Sequence, residues 1–294
     1  MHRLVAASLA VGLSVGLATA TSAADLGRPA PAPVYTKAPV IAPYSWTGFY
    51  AGVQAGYGWN SGDVDTAGTA IASDPGAGAA GVAIVNASAA AAGLDFNTNP
   101  KGFLGGGTLG YNFQNGQFVW GAETDLSWAD VKGTATAGGT AALVGFPPFV
   151  INSSATAEEK MDAFGTLRAR LGFLPTDKLL VFGTGGLAYG HVESNTNIAE
   201  ALSPPAAGIA FANAVGSASS WRAGWTAGAG VEYAFAPRWT AKVEYLYYDL
   251  GSISYNSTVA GSAPGSPALS TASVASSAEF KGNIVRGGIN YKIW

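Results

Sequence analysis

The sequence predicts an all-β fold, an eight-stranded antiparallel up-and-down transmembrane β-barrel with long mobile extracellular loops. Three observations lead there: eight runs in which apolar residues alternate with small or polar ones, a regular alternation of short and long connections, and an amino terminus laid out for export. Composition points the same way. Only 11% of the 294 residues are charged, against about 25% in an average soluble protein, and the 41 glycines are roughly twice the usual share. Lys and Arg number 15 against 18 Asp and Glu, a net charge of −3 with no basic block, so nucleic acid is excluded as a partner. The absence of cysteine excludes disulfide staples, thiolate metal sites and cysteine nucleophiles, and suits passage through an oxidising compartment.

The first element is a signal peptide over residues 1–23. Met1-His2-Arg3 precedes an apolar run from Leu4 to Ala20, and small residues follow at Thr21 to Ala24, so cleavage falls after Ala23 or Ala24. The run is short for a spanning helix and carries Gly12 and Gly16, which argues against an uncleaved anchor. Residues 24–45 form the second element. Pro29, Pro31, Pro33, Pro39 and Pro43 exclude both helix and central strand, leaving an extended proline-rich periplasmic tail.

Residues 46–294 then carry the barrel. Runs near 48–59, 102–113, 118–130, 160–173, 179–192, 221–235, 239–248 and 280–293 each have about the length a tilted strand needs to cross a bilayer. The sixth shows the period best: from Trp221 to Phe235 every odd position is apolar, while the even ones are Arg, Gly, Thr, Gly, Gly, Glu and Ala. Short turns come at Gln114-Asn115-Gly116-Gln117, whose Asn-Gly suits a type I′ hairpin, at Leu174 to Asp177, and at Ala236-Pro237-Arg238. Long Ala/Gly/Ser-rich connections fill about 60–100, 131–159, 193–220 and 253–278, and their low complexity predicts mobile loops.

Alternation alone fits a soluble ligand-binding barrel as well, so the identity of each face has to decide which one meets lipid. Gly52, Gly56 and Gly58, then Gly106 and Gly110, then Gly224, Gly228 and Gly230 share the parity of the charged residues. Small residues gain nothing on a watery surface, but inside a narrow eight-stranded barrel they make room for large neighbours. On the other parity, aromatics gather near strand ends, as at Phe49, Tyr57, Trp59, Phe103, Trp120, Trp128, Tyr233 and Trp239, in the manner of interfacial girdles. Trp225 falls outside that spacing. The apolar face is therefore expected to meet lipid and the polar face to line a lumen. Glu123, Asp125, Arg168, Arg170, Arg222, Glu232, Lys242, Glu244 and Arg286 then point inward and are expected to form a cross-strand ion-pair network.

At residue level, Trp46-Thr47-Gly48-Phe49-Tyr50-Ala51-Gly52, Gly110-Tyr111-Asn112, Gly121-Ala122-Glu123-Thr124-Asp125, Thr166-Leu167-Arg168-Ala169-Arg170-Leu171-Gly172, Gly185 to Gly190, Val243 to Tyr247 and Arg286 to Lys292 occur in an order that resembles the RopB-type small outer-membrane proteins of alphaproteobacteria. The resemblance covers all eight strands. It implies an OmpA-like barrel of the Gram-negative cell envelope, abundant and surface-exposed, of a family labelled porin or surface antigen, with no catalytic residues to carry over. The end of the chain also resembles the signal read by the barrel-assembly machinery, through Arg286, Gly288, Tyr291 and Ile293, although Ile293 and then Trp294 stand where family members commonly finish on Phe.

Other motifs lead away from chemistry. Gly105 to Gly110 fits G-x-G-x-x-G, but a strand continues where a nucleotide site needs a helix. Asp63, Asp65 and Asp74 are scattered acids in a loop, poor ligands for calcium, and the sequons at Asn86, Asn152 and Asn256 only fit exposed connections. His191 sits at the outer end of the fifth run on the lipid parity, and no inward Ser and carboxylate converge on it in the sequence reading. The expectation is a non-enzymatic outer-membrane protein without cofactor, metal or catalytic residue, with a structural, envelope-stabilising and surface-antigen role. A small porin for water, ions or minor solutes is the alternative, and a barrel hydrolase a distant third. The expected partners are outer-membrane lipid, lipopolysaccharide and the assembly machinery; the oligomeric state stays open.

Overall fold

A computed structural model describes residues 44–60, 63–73, 75–263 and 266–293. The signal peptide, the proline-rich tail up to Pro43, Asp74 and Trp294 lie outside the described residues. In chain order the elements are β1 (Gly48–Asn60), β2 (Asp63–Ser73), helix α1 (Gly78–Ala91), β3 (Asp95–Asn97), β4 (Lys101–Asn115), β5 (Phe118–Ala142), β6 (Val150–Thr176), β7 (Leu179–Ser203), β8 (Ala210–Ala212), β9 (Ala214–Ala236), β10 (Trp239–Ala263) and β11 (Ser266–Lys292). Eight of them, β1-β4-β5-β6-β7-β9-β10-β11, pair antiparallel in sequence, and β11 pairs back onto β1 to close the ring. Each of the eight sequence runs lies in one ring strand. No helix among the described residues is long and apolar enough to cross a membrane.

The two parities fall where period two puts them. Val53, Phe103, Leu126, Leu171, Leu187 and Val243 all point outward and exposed, a belt of large apolar side chains that only a hydrocarbon surround would leave uncovered. Aromatic pairs edge the belt at both ends. Phe49–Tyr111, Phe113–Trp120, Phe118–Phe173 and Trp239–Tyr291 lie toward the short turns, and Tyr57–Phe103, His191–Trp221 and Trp225–Tyr247 toward the other end. Trp225, irregular by spacing, faces Asp249 where the β9–β10 ladder stops, so it is a boundary residue. Ala227 lies outward next to Gly185 and Tyr247. Two residues further in, Ala229 lies outward between Gly183 and Tyr245, midway between the aromatic edges at Trp225 and Tyr233, and Ala229→Arg is expected to weaken folding into vesicles by about 2–4 kcal/mol in a urea titration. A variant as stable as the parent would invert the assignment of faces.

The hairpin between β4 and β5 corrects the sequence reading by one residue. Asn115 pairs with Phe118, so the loop is Gly116-Gln117, with Gly116 at φ +60°. Glycine at the first central place is the requirement of a type II′ turn, not of the expected I′.

The larger correction concerns the long connections. The ladders run on: β5 pairs with β6 up to Ala142–Val150, and β6 with β7 up to Val150–Ser203. Here the chemistry of the faces reverses. Ile151, Ala155, Ala157, Ile198 and Leu202 point inward and buried, while Asn152, Ser154, Thr156, Asn195 and Asn197 face water. β6 makes the switch at a bulge, where Asp162 is the extra residue opposite β7, and β10 does so at Gly251, φ +73°. The first connection adds β2, paired to β11, and helix α1, which lies over Leu143, Ile151 and Leu202 through Ile84 and Ala87. Alanine, the strongest helix former, dominates α1, but both flanks of the helix are buried, so no one-sided apolar stripe marks it in the sequence.

Candidate functional site

The lumen is layered. At the short-turn end, Trp46, Val119, Leu174, Leu180, Phe182 and Ala234 form an apolar floor, with the Trp46 indole N–H donating to the Asp177 carbonyl at 3.1 Å. Above it lies a band of ionised side chains, and above that Leu104, Phe164, Ala188, Leu246, Tyr248 and Ile284, all buried. The sequence reading of a polar lumen thus holds only for the middle band.

In that band four acids meet four bases. Arg168 is the hub: it donates to Glu123 at 2.6 Å, to Glu244 at 2.9 Å and to Asp125 at 3.2 Å, with its Nε on Thr166 at 2.9 Å. Arg286 grips Asp125 with two nitrogens at 3.0 and 2.7 Å and reaches Glu244 at 2.7 Å through Nε. Lys242 donates to both oxygens of Glu123, at 2.8 and 3.0 Å. Arg170 pairs with Glu232, lies 3.8 Å from the centre of the Phe182 ring and donates to the Tyr50 hydroxyl at 3.1 Å. These eight charged side chains are at most 3% exposed. Every charge therefore has a partner of opposite sign in a space closed to water, as burial demands.

Arg222 is the sequence-predicted member that the structure leaves out. It shares the lumen parity but lies beyond the belt, where its guanidinium donates to the Ser252 carbonyl. Sequence reasoning also missed members. Tyr50 donates to Glu123 at 2.7 Å, and Asn290 and Thr240 donate to Glu232. All three have lumen parity, so the signal was available; they were passed over because they carry no charge. Gly110 is what admits Tyr50: a Cβ there would sit 2.4 Å from the phenol ring. Of the expected assembly signal, Arg286 belongs to the ion-pair band, Gly288 faces Gln54, Tyr291 packs tilted against Trp239, and Ile293 donates its N–H to the Phe49 carbonyl at 2.8 Å. Gly105 to Gly110 runs inside β4 with ladders on both sides, which leaves no phosphate cradle.

The chain is matched over residues 13–292 by the family model described as the outer membrane protein beta-barrel domain. It belongs to that family. Curated relatives agree: the chain is 37% identical over 243 residues to the 31 kDa outer-membrane immunogenic protein of Brucella melitensis, covering 80% of this chain and 82% of the relative. It is 29% identical to a 22 kDa outer membrane protein of Rhizobium leguminosarum, covering 75% and 72%. Among solved structures it is similar to OprG of Pseudomonas aeruginosa, at 14% identity and a TM-score of 0.40, covering 85% of this chain and 98% of that one. This protein is an integral β-barrel of the outer membrane. The family rule then orients it, with short turns in the periplasm and the long strand extensions outside.

Two buried carboxyls lie in the extracellular extension, in stretches the sequence reading assigned to loops. Glu200 accepts from Ser88 of α1, and Glu159 from Thr98. Burial pushes each up to about 7, and the nearby Asp63 carboxylate adds to the rise of Glu159. Sequence reasoning considered inward partners for His191, and the two polar groups that approach it come from the outer face instead. His191 Nδ1 lies 2.8 Å from Asp162 Oδ1, and Nε2 lies 3.1 Å from Ser219 Oγ. The acid and the hydroxyl come from β6 and β9, on either side of β7, a neighbourhood that residue spacing could not reveal.

Proposed function

We propose that this protein is a sealed barrel that stabilises the outer membrane and holds an ordered β-extension at the cell surface as its antigenic face. The single observation that carries this reading is the closed middle of the lumen, where eight paired charges lie between two apolar layers. An ion crossing it would have to break charge-assisted hydrogen bonds in a dry space, each held by more than one partner. The names of the Brucella relatives, immunogenic outer-membrane proteins, support the surface role. The envelope role is non-enzymatic: the lumen acids and bases serve as one another's partners. Lipid and lipopolysaccharide are the proposed contacts of the belt, and the outward Tyr291 and Ile293, with Trp294, the proposed contact for the barrel-assembly machinery.

The porin alternative predicts steady single-channel steps in a planar bilayer. We expect the folded parent to be silent, and the Glu123→Ala variant, which leaves Arg168 and Lys242 short of an acid, to be leaky or poorly folded. Reproducible steps from the parent would replace the sealed barrel with a pore.

A further inference from the structure

We propose that Ser219, His191 and Asp162 form a hydrolytic triad on the outside of the barrel, directed at acyl-ester bonds of lipids in the outer leaflet. This activity lies outside the envelope role and uses none of the lumen residues. The argument starts with hydrogen-bond valence. An ionised carboxylate only accepts, so the 2.8 Å contact to Asp162 places the imidazole proton on Nδ1. Nε2 then carries the free lone pair and accepts from the Ser219 hydroxyl at 3.1 Å. That is the order of roles in serine hydrolases: nucleophile, base, and an acid that fixes the tautomer.

Local folding explains why three residues so far apart in sequence meet. His191 stands opposite Trp221 on β9, and Ser219 is two residues along on the same face. Across the other ladder, His191 pairs with Ala163, and the bulged residue beside it is Asp162, the extra residue of β6. A bulge re-aims one side chain, here toward the imidazole. The same cluster includes Glu193, and Asp162, His191 and Glu193 could each offer a ligand atom to a cation. Lys160 already supplies the positive charge, its ammonium 3.8 Å from both Asp162 and Glu193, which favours the triad over a metal site.

Depth selects the substrate. The His191 ring packs against Trp221 at 5.5 Å in the aromatic edge of the belt, the level where headgroups and ester carbonyls meet protein. The trio remains open to that layer, with His191 and Asp162 about a quarter and a third exposed. In the reaction, Ser219 Oγ forms a bond to the ester carbonyl carbon and its proton passes to Nε2. The ester C–O bond then breaks, and the alcohol oxygen leaves with that proton. Water adds to the acyl-serine, giving its proton to Nε2; the bond to Oγ breaks, Ser219 recovers the proton, and a free fatty acid is released.

The test uses the full folded protein in two sets of vesicles, one of phosphatidylethanolamine with phosphatidylglycerol and one also containing lipid A, with fatty acid release read by mass spectrometry. Release from either set, reduced at least about a thousandfold in Ser219→Ala and His191→Gln, is the expected result, and the set that yields it identifies the lipid. Asp162 acts through His191 as a positioning residue, so Asp162→Asn is expected to lower kcat with KM unchanged. Heat-modifiable migration establishes that each variant is folded. No release from either set by the folded parent, or release that persists in Ser219→Ala, overturns the proposal.

Discussion

Arg168→Met is expected to lower the unfolding free energy of the barrel by about 3–5 kcal/mol, the largest effect of any single lumen substitution. The guanidinium is fully buried and shared by Glu123, Asp125 and Glu244. Its removal leaves four acids facing three bases where solvent cannot compensate. Methionine fills most of the volume, so the loss reads as charge imbalance rather than as a cavity. Urea unfolding of the barrel in detergent micelles measures it. The double variant Arg168→Met with Glu123→Gln restores the charge balance and should recover part of the loss, because the two residues are in contact and their effects are not additive. A single-variant loss below about 1 kcal/mol would mean that water reaches the band, the range of exposed ion pairs.

The second large effect is a dependence of the extracellular extension on pH. Glu159 and Glu200 rise from an ordinary 4.5 to about 7 on folding. Each folded carboxyl holds its proton more tightly than the unfolded one. Stability is therefore greatest below pH 4.5, falls as pH rises, and levels off above about 7, with each group costing about 3 kcal/mol there. The hydrogen-exchange protection factors of residues 78–91 and 195–203, with the intrinsic rate at each pH divided out, should be higher at pH 5 than at pH 8. Glu200→Gln should slow exchange in α1 at pH 8 and remove much of the difference, because a neutral amide can still meet the Ser88 hydroxyl. Equal protection factors at both pH values would show these acids to be hydrated. The belt and the ion-pair band should not respond over this range.

Particular residues show how far sequence reasoning reached. Glu123, Asp125, Arg168, Arg170, Glu232, Lys242, Glu244 and Arg286 were placeable in one lumen because period two fixes the face of each strand residue by its index alone. The same rule put Arg222 among them, and failed because parity says nothing of height along the barrel. The long connections were misread for a related reason. In the extension the inward side mixes Ala155 and Ala157 with Ser153 and Glu159, and the outward side carries Asn152, Ser154 and Thr156, so the contrast that marks a strand is faint although the β5–β6 ladder runs on.

By itself the sequence determined the number of strands in the ring, the face that meets lipid, the alternation of turns and the charged middle of the lumen. These follow from local chemistry repeated along the chain. Tertiary structure alone decided which acid meets which base, how Arg286 comes to clasp Asp125 161 residues away, where α1 covers the extension, and how Asp162 and Ser219 reach His191. The reason is register: the stagger and bulges of each strand pair set heights and re-aim side chains, and they are fixed by the closure of the whole ring rather than by any one segment.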